Sequence, residues 1–432
     1  MAKLETLGGE LRPVAGDGGL GVISASSRTK RVYAAPGEDS IPYLRPYDVF
    51  DYLPQPADFL SRSGSTDLER LVPQVGTILQ TCSGRNLGPL AYADAYINRF
   101  VVSDDMLRLQ IDDEIARFYT LAFLSTPTGQ SLLTRSKTGN VIDHLSGDDL
   151  ASVLVPFIDE ALTSDIAAVM SEAVRMRESA RVELDRLVQA FSGSLPEIAT
   201  TNPLREGWTV RATDLKRRFD AAYNDPRLNK VRSDMARLGG GTVADVARTA
   251  MPNRYKRNYV EAAHGRPILS GRQLLQLKPV NLQYIATSVL DTAEYELGVG
   301  TLVFGARGRA EERVSLPALI VEDRADWLAS HNVMRVHPRE GISAGWLYLC
   351  FAIEHVQLQV RGSAFGSVVD VVDAPNLDRV VLPPVDNDLG DAALQCWRDM
   401  SSASTLEATA IDRLEDVIVN VGGSVGRTSL KR

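Results

Sequence analysis

Seven residues, Asn253-Arg254-Tyr255-Lys256-Arg257-Asn258-Tyr259, interleave three cations with two amides and two aromatics. Cations meet phosphates and amides match base edges, so such a run suits nucleic-acid contact; a solvated loop is the plainer alternative. The run sits in a basic stretch, Arg205 to Arg272, with fifteen Lys/Arg against seven Asp/Glu. The whole chain of 432 residues carries −8, which argues for a localised anion-binding face rather than a basic surface throughout. Reading base edges needs side chains with fixed donor–acceptor forks on projecting loops. Asn253, Arg254, Tyr255, Lys256 and Arg257 are of that type, as are Arg272, Arg307, Arg309, Arg361 and Ser363. In the N-terminal half the corresponding candidates are Arg45 and Tyr47; Ser83, Arg85 and Asn86 behind a β-like run; and Arg135, Lys137 and Asn140.

The tools of catalysis are missing from the sequence. There is no Asn/Asp-Pro-Pro-aromatic tetrapeptide and no His-Glu-x-x-His. Gly239-Gly240-Gly241 follows no apolar strand and reads as a turn. His144 and His355 adjoin apolar residues and read as structural, whereas His331 and His337 stand six apart without a third ligand. Cys82, Cys350 and Cys396 lack paired spacing, which fits a reducing cytoplasm. No signal peptide heads the chain, and the longest apolar run, Trp346 to Ile353, is too short to cross a bilayer. These observations predict no catalytic residue, no metal and no cofactor on this chain, and no membrane partner.

Short signals recur in the same order along the chain, and they organise everything else. Gly139 to Asp143 and Gly366 to Asp370, Val153 to Pro156 and Val380 to Pro383, and Leu107-Arg108-Leu109 and Met334-Arg335-Val336 each lie 227 positions apart. Gly76-Thr77 answers to Gly300-Thr301 at 224, and Leu7-Gly8-Gly9 to Leu238-Gly239-Gly240 at 231. A step this long means two copies of a domain, because solenoid repeats run only about 20–50 residues. Each copy has β-like runs (Gly76 to Thr81; Gly300 to Phe304) and a helical segment (Asp113 to Leu124; Ala344 to Val356). Each closes on a strand that Pro156 or Pro383 is expected to stop.

Beyond each proline the period changes to three and four residues, the mark of an amphipathic helix. Ile166, Val169, Met176 and Leu187 lie on the first stripe, ended by Gly193 and Pro196. Met400, Ala403, Leu414 and Val417 lie on the second, with Glu407 as an interruption and Gly422-Gly423 as its end. The two stripes are expected to pack against each other, antiparallel. The predicted segments are 1–157, 158–195 (first helix), 196–384, 385–421 (second helix) and a tail, 422–432.

With this plan the chain resembles the specificity (S) subunit of type I restriction-modification systems. The carriers are Ile41-Pro42-Tyr43-Leu44-Arg45 with Pro267-Ile268-Leu269-Ser270-Gly271, the paired Gly-Thr strands, the paired Val-Pro endings that open long helices, and Arg218 to Pro226. Where many members follow the closing proline with Glu-Gln, this chain has Phe157-Ile158-Asp159-Glu160 and Val385-Asp386-Asn387-Asp388. The resemblance implies an α+β fold with two similar α/β target-recognition domains separated by two long antiparallel helices, a pseudo-two-fold duplication. It implies a non-catalytic subunit that reads a bipartite double-stranded DNA sequence, one half per domain. The helices would set the spacer, as a coiled coil, and dock two DNA adenine-methyltransferase subunits, with a restriction or translocase subunit as a further partner. S-adenosylmethionine would bind the methyltransferase only. The alternatives are a recognition subunit in another phage-defence complex and a protein-binding helical scaffold that does not bind DNA.

Overall fold

The computed structural model describes residues 9–25, 28–83, 87–135, 144–199, 207–215, 218–286, 293–308, 315–366 and 369–428. The chain divides into two compact units. Unit 1 comprises residues 1–181 and 402–432, and unit 2 comprises 182–401. Their boundary passes through both long helices.

In unit 1 the strands are β1 (Glu10–Pro13), β2 (Val22–Ala25), β3 (Tyr33–Ala34), β4 (Ser40–Leu44), β5 (Asp58–Ser61), β6 (Ile78–Thr81), β7 (Leu90–Tyr92), β8 (Val101–Val102) and β9 (Met106–Gln110). Helices α1 (Glu114–Ser125), α2 (Pro127–Thr134) and α3 (Gly147–Ala151) follow, then strand β10 (Leu154–Phe157) and helix α4 (Glu160–Gly193). Two four-stranded sheets form, ordered β3-β5-β4-β8 and β2-β9-β6-β7, beside a ribbon of β1 and β10. Asp113 caps α1 by accepting from the Ala116 amide at 2.7 Å, and Pro127 opens α2 where no amide is needed.

Unit 2 continues with α5 (Pro226–Arg237), α6 (Val243–Val246), β11 (Ala247–Ala250), β12 (Tyr259–Val260), β13 (Arg266–Leu269), β14 (Gln283–Ile285) and β15 (Leu302–Gly305). Next come β16 (Arg307–Gly308), β17 (Ala318–Leu319), β18 (Leu328–Ala329), β19 (Val333–Pro338), α7 (Ala344–Ala352), α8 (Glu354–Ser363), β20 (Asp370–Val371), α9 (Ala374–Leu377) and α10 (Asn387–Thr428). Its four-stranded sheets are β12-β14-β13-β18 and β11-β19-β15-β17. Strand for strand, these orders match unit 1, including the single parallel pair (β4 with β8; β13 with β18).

The matching extends to single residues. Arg108 on β9 and Arg335 on β19 are buried, and backbone carbonyls take their hydrogen bonds. Arg108 donates to the carbonyls of Met106 (3.0 Å), Val102 (3.2 Å) and Leu71 (3.4 Å). Arg335 donates to those of Val333 (2.9 Å), Ala329 (3.0 Å) and Tyr295 (3.2 Å). In each unit the guanidinium thus ties a strand of one sheet to an edge strand of the other. Burial lowers the pKa of both, that of Arg335 to about 10. Gly76 and Gly300, before β6 and β15, both have φ in the left-handed region (+95° and +83°), which explains the repeated glycine.

Several sequence expectations need correction. Pro156 lies inside β10, paired with Leu11, and does not stop it; in a two-stranded ribbon every strand is an edge, where a missing amide costs little. The second helical segment is broken at Ile353, whose ψ of 149° is extended, so Ala344 to Val356 spans all of α7 and the start of α8. All eight residues from Ala344 to Phe351 are buried, as an all-apolar helix requires. Helix α10 runs through Gly422 and Gly423 to Thr428, since a helical glycine costs only about 1 kcal/mol relative to alanine. Helix α4 does end at Gly193. Gly139 to Asp143 lie outside the described residues.

On the long helices Ile166, Leu187, Met400, Ala403 and Leu414 are buried, while Val169, Met176 and Val417 are half-buried. In unit 1, Ile166, Met170 and Val174 of α4 share one core with Ala410, Leu414 and Ile418 of α10 and with Tyr119 and Phe123 of α1. Arg413 pairs with Asp165, and Arg177 pairs with Glu407 at 2.5 Å. The partner number falls on α10 as it rises on α4, so the packing there is antiparallel. Glu407 is therefore no interruption: it is the buried acid that neutralises Arg177, whose side chain is 11% exposed. One turn further, Arg181 donates to the carbonyls of Tyr52 (2.8 Å) and Asp51 (2.9 Å) and pairs with Asp94 at 3.3 Å, fixing α4 to the unit 1 sheets.

Removing one partner of a buried pair leaves an uncompensated charge, whereas replacing both with apolar groups relieves desolvation. Glu407→Ala is expected to destabilise unit 1 by about 3–5 kcal/mol, and Arg177→Met with Glu407→Leu by far less or not at all. Urea denaturation of the three proteins checks this; equal losses in both variants would contradict it.

Candidate nucleic-acid interface

The basic run in unit 2 forms an extended lead-in to β12, with Asn253, Arg254, Lys256 and Tyr259 exposed. Tyr255 turns inward and its ring meets that of Tyr295, centroids 4.0 Å apart. Arg257 is the organising side chain. It donates through Nη2 to Ser330 Oγ (2.9 Å), contacts His331 Nδ1 at 3.0 Å, and lies 5.4 Å from the Tyr255 ring centroid. A guanidinium has donors only, so His331 Nδ1 must accept and the ring proton sits on Nε2. Burial, followed by the charges of Arg257, Arg307 and Arg254, holds His331 below the usual histidine range. The result is a neutral imidazole within an arginine cluster. Arg254 to Arg257, Tyr259, His331 and Asn332 line an open depression of about 600 Å³, and Tyr255 Oη and Asn332 Oδ1 are buried without a hydrogen bond.

A matching segment in unit 1 escaped the sequence reading. Tyr33 of β3 and Ile41 of β4 both face Leu60, as Tyr259 of β12 and Arg266 of β13 both face Ile285. This register equates Tyr33 with Tyr259, 226 positions on. The residues before them are Arg28-Thr29-Lys30-Arg31-Val32 and Arg254-Tyr255-Lys256-Arg257-Asn258, so Arg-x-Lys-Arg-x-Tyr stands at one structural position in both units. Its sequence signal was present, but the step differs by one from the dominant 227 and two intervening residues differ in character. Arg31 donates to Tyr43 Oη (2.8 Å) and pairs with Asp104 (3.5 Å).

The other candidates divide. Arg45, after β4, is exposed but paired with Asp58 at 2.7 Å, and Tyr47 precedes a short 3-10 turn. Ser83 forms a backbone bridge with the exposed His144. Arg135 caps the exposed end of α2, and Arg272 lies on an exposed turn. Arg307, on β16, is exposed and belongs to the cluster around His331. Arg361 on α8 is paired with Glu354. Ser363 is buried and its hydroxyl donates to the Val360 carbonyl at 2.8 Å, so its side chain is not offered to a ligand. His355 is buried against the Pro196 carbonyl at 2.7 Å, a structural role. Arg85, Asn86, Lys137, Asn140 and Arg309 lie outside the described residues. Within unit 2 the structure therefore brings Arg254 to Tyr259 together with Arg307, and within unit 1 the segment Arg28 to Tyr33 holds the equivalent position.

No family model and no curated protein matches this chain. Among solved structures, it is similar to a type I restriction-modification system S subunit from M. genitalium: 12% identity, 97% of each chain covered, TM-score 0.29. It is similar also to the HsdS subunit from Thermoanaerobacter tengcongensis, at 14% identity over 93% of this chain and 96% of that one, TM-score 0.30. A third, from work on complex assembly and conformational transition of the type I R-M system, is 15% identical over 91% and 97%, TM-score 0.29. With overlaps this low, function has to be argued from the chain's own residues.

The His331 environment gives a direct measurement. In an NMR titration its midpoint is expected below the ordinary histidine value of about 6.5, and Arg257→Met is expected to move it upward. A group whose folded pKa is lowered takes up its proton more readily when unfolded, so this contribution to stability is present at neutral pH and lost as pH falls below about 6.5. An unshifted midpoint in both proteins would contradict the described geometry.

Proposed function

We propose that this chain is a non-catalytic DNA-specificity subunit that reads a bipartite double-stranded target, one half with each unit. One observation supports this reading above the rest: an Arg-x-Lys-Arg-x-Tyr segment enters the same strand of the same sheet in two units of identical strand order. We take the units to be two copies of one domain. A duplicated cationic–aromatic surface suits a ligand that repeats its own backbone, and duplex DNA offers phosphates to both readers while differing in base sequence between them. In this proposal Lys256 and Arg257 meet phosphates, and the segments Ser83-Gly84-Arg85-Asn86 and Arg307-Gly308-Arg309, which occupy equivalent chain positions, meet base edges.

The continuous helices α4 and α10 each contribute to both units. Rigid elements shared in this way are suited to dock other subunits, and we assign to them two DNA adenine-methyltransferase subunits, with a restriction subunit as a further partner. S-adenosylmethionine then belongs to the methyltransferase. The chain alone is expected to transfer no labelled methyl group from S-adenosylmethionine to DNA; transfer by a partner-free sample would refute the division of labour.

A binding selection on duplexes randomised in one half at a time tests the two-reader proposal. Losing a bidentate arginine contact costs about 1–3 kcal/mol at its base pair. Arg85→Ala with Asn86→Ala is expected to relax preference in one half only, and Arg307→Ala with Arg309→Ala in the other only. Equal loss in both halves from either variant would overturn it.

A further inference from the structure

The two Arg-x-Lys-Arg-x-Tyr segments face the same turn, but the turn carries different charge. In unit 1 it is Ser103-Asp104-Asp105 and in unit 2 Ser330-His331-Asn332. Their equivalence rests on backbone geometry. The Ser103 amide donates to the Leu44 carbonyl (3.1 Å), as Ser330 does to Leu269 (2.9 Å). Each serine hydroxyl accepts from the amide two residues on at 3.2 Å. The third residue's carbonyl, of Asp105 or Asn332, accepts from Cys82 or Ala306 at 3.3 and 2.8 Å. Onto this common turn the second arginine of each segment descends. Arg31 meets the Asp104 carboxylate, whose side chain is 5% exposed, whereas Arg257 meets the neutral His331 ring. At the neighbouring equivalent position unit 1 has Ser83 and unit 2 has Arg307, which adds a further cation beside His331.

We propose that this turn sets how strongly each unit holds the DNA backbone: unit 2, with His331-Asn332, supplies most of the sequence-independent phosphate binding, and Asp104-Asp105 keeps unit 1 weak. The proposal rests on the DNA-reading function above. A carboxylate held against Arg31 cancels its charge and repels a phosphate approaching Arg28 or Lys30, while a neutral imidazole leaves the charge of Arg257 available. Unit 2 then carries general affinity, and unit 1 contributes chiefly through base contacts, where a weak backbone grip sharpens dependence on the correct sequence.

The test exchanges the turns in the full chain: His331→Asp with Asn332→Asp, and Asp104→His with Asp105→Asn. Because each turn receives residues that its counterpart already accommodates, folding should be preserved, and a melting curve verifies it. Binding to a random-sequence duplex is measured from low to physiological salt. The slope of log affinity against log salt is expected to shrink by about 0.9 for every phosphate that the unit 2 variant no longer neutralises. In the unit 1 variant it is expected to steepen by the same amount for every phosphate newly neutralised. His331→Asn, which changes shape without adding charge, is expected to keep the wild-type slope. If neither exchange moves the slope, or if His331→Asn lowers it as much as the aspartate exchange, the charge assignment is wrong although DNA binding stands. If the wild-type chain shows no salt-dependent binding to any duplex, the DNA-reading function falls and this assignment falls with it. Should one exchange fail to fold, Asp104→Asn alone still has to steepen the slope.

Discussion

A guanidinium buried between two small sheets has to find acceptors without water, and in each unit one arginine directs both of its Nη groups to carbonyls of elements that no strand ladder connects. Arg108 and Arg335 thereby make two four-stranded sheets behave as one body. Neither sheet is large enough to be stable alone, and most of their strands are two to five residues long. The positions of the basic lead-in strands, β3 and β12, are inherited from this clamp, because the clamped edge strands β8 and β18 pair with β4 and β13, on which the rest of that sheet is built. The turn that carries Asp104 or His331 joins β8 to β9 and β18 to β19, so the clamp and the candidate interface are separated by one or two residues. Geometry at the surface is set by a charge in the interior.

The long helices use buried charge in a different way. Apolar stripes of alanine, leucine and isoleucine tolerate sliding, because one small residue packs much like the next. Arg177 and Glu407 do not: a shift of one turn would leave both charges unpaired in the interior. The pair therefore selects one register, and Arg181 with Asp94 and two carbonyls transmits that register to the sheets of unit 1.

Much of this was legible in the sequence, for physical reasons that can be named. The Gly-Thr and Leu-Arg-Leu signals recur because a left-handed glycine and a clamping arginine tolerate little substitution. The helix at Glu160–Gly193 announces itself by its period. What stayed hidden depends on pairing between distant residues. Glu407 looked like a break in an apolar stripe, because its partner lies 230 positions away. Arg28 to Tyr33 carries its signal at a step of 226, and only strand register aligns it with Arg254 to Tyr259. Ser363 looked like a surface donor, because nothing local says that its helix is buried. Pro156 looked like a terminator, because the alternation of residues does not reveal that its strand has only one neighbour.

The partition of the chain has a consequence for its synthesis. Unit 2 is one continuous segment, whereas unit 1 is closed by residues from both ends of the sequence: Ala410, Leu414 and Ile418 fill the core begun by Leu107, Tyr119 and Ile166. A nascent chain emerging N-terminus first cannot complete that core until α10 has left the ribosome. The first-made globule is thus the last to be finished, with an apolar face of α4 uncovered in the interval. Translation that stops within α10, short of Ala410, would leave unit 2 nearly whole and unit 1 open.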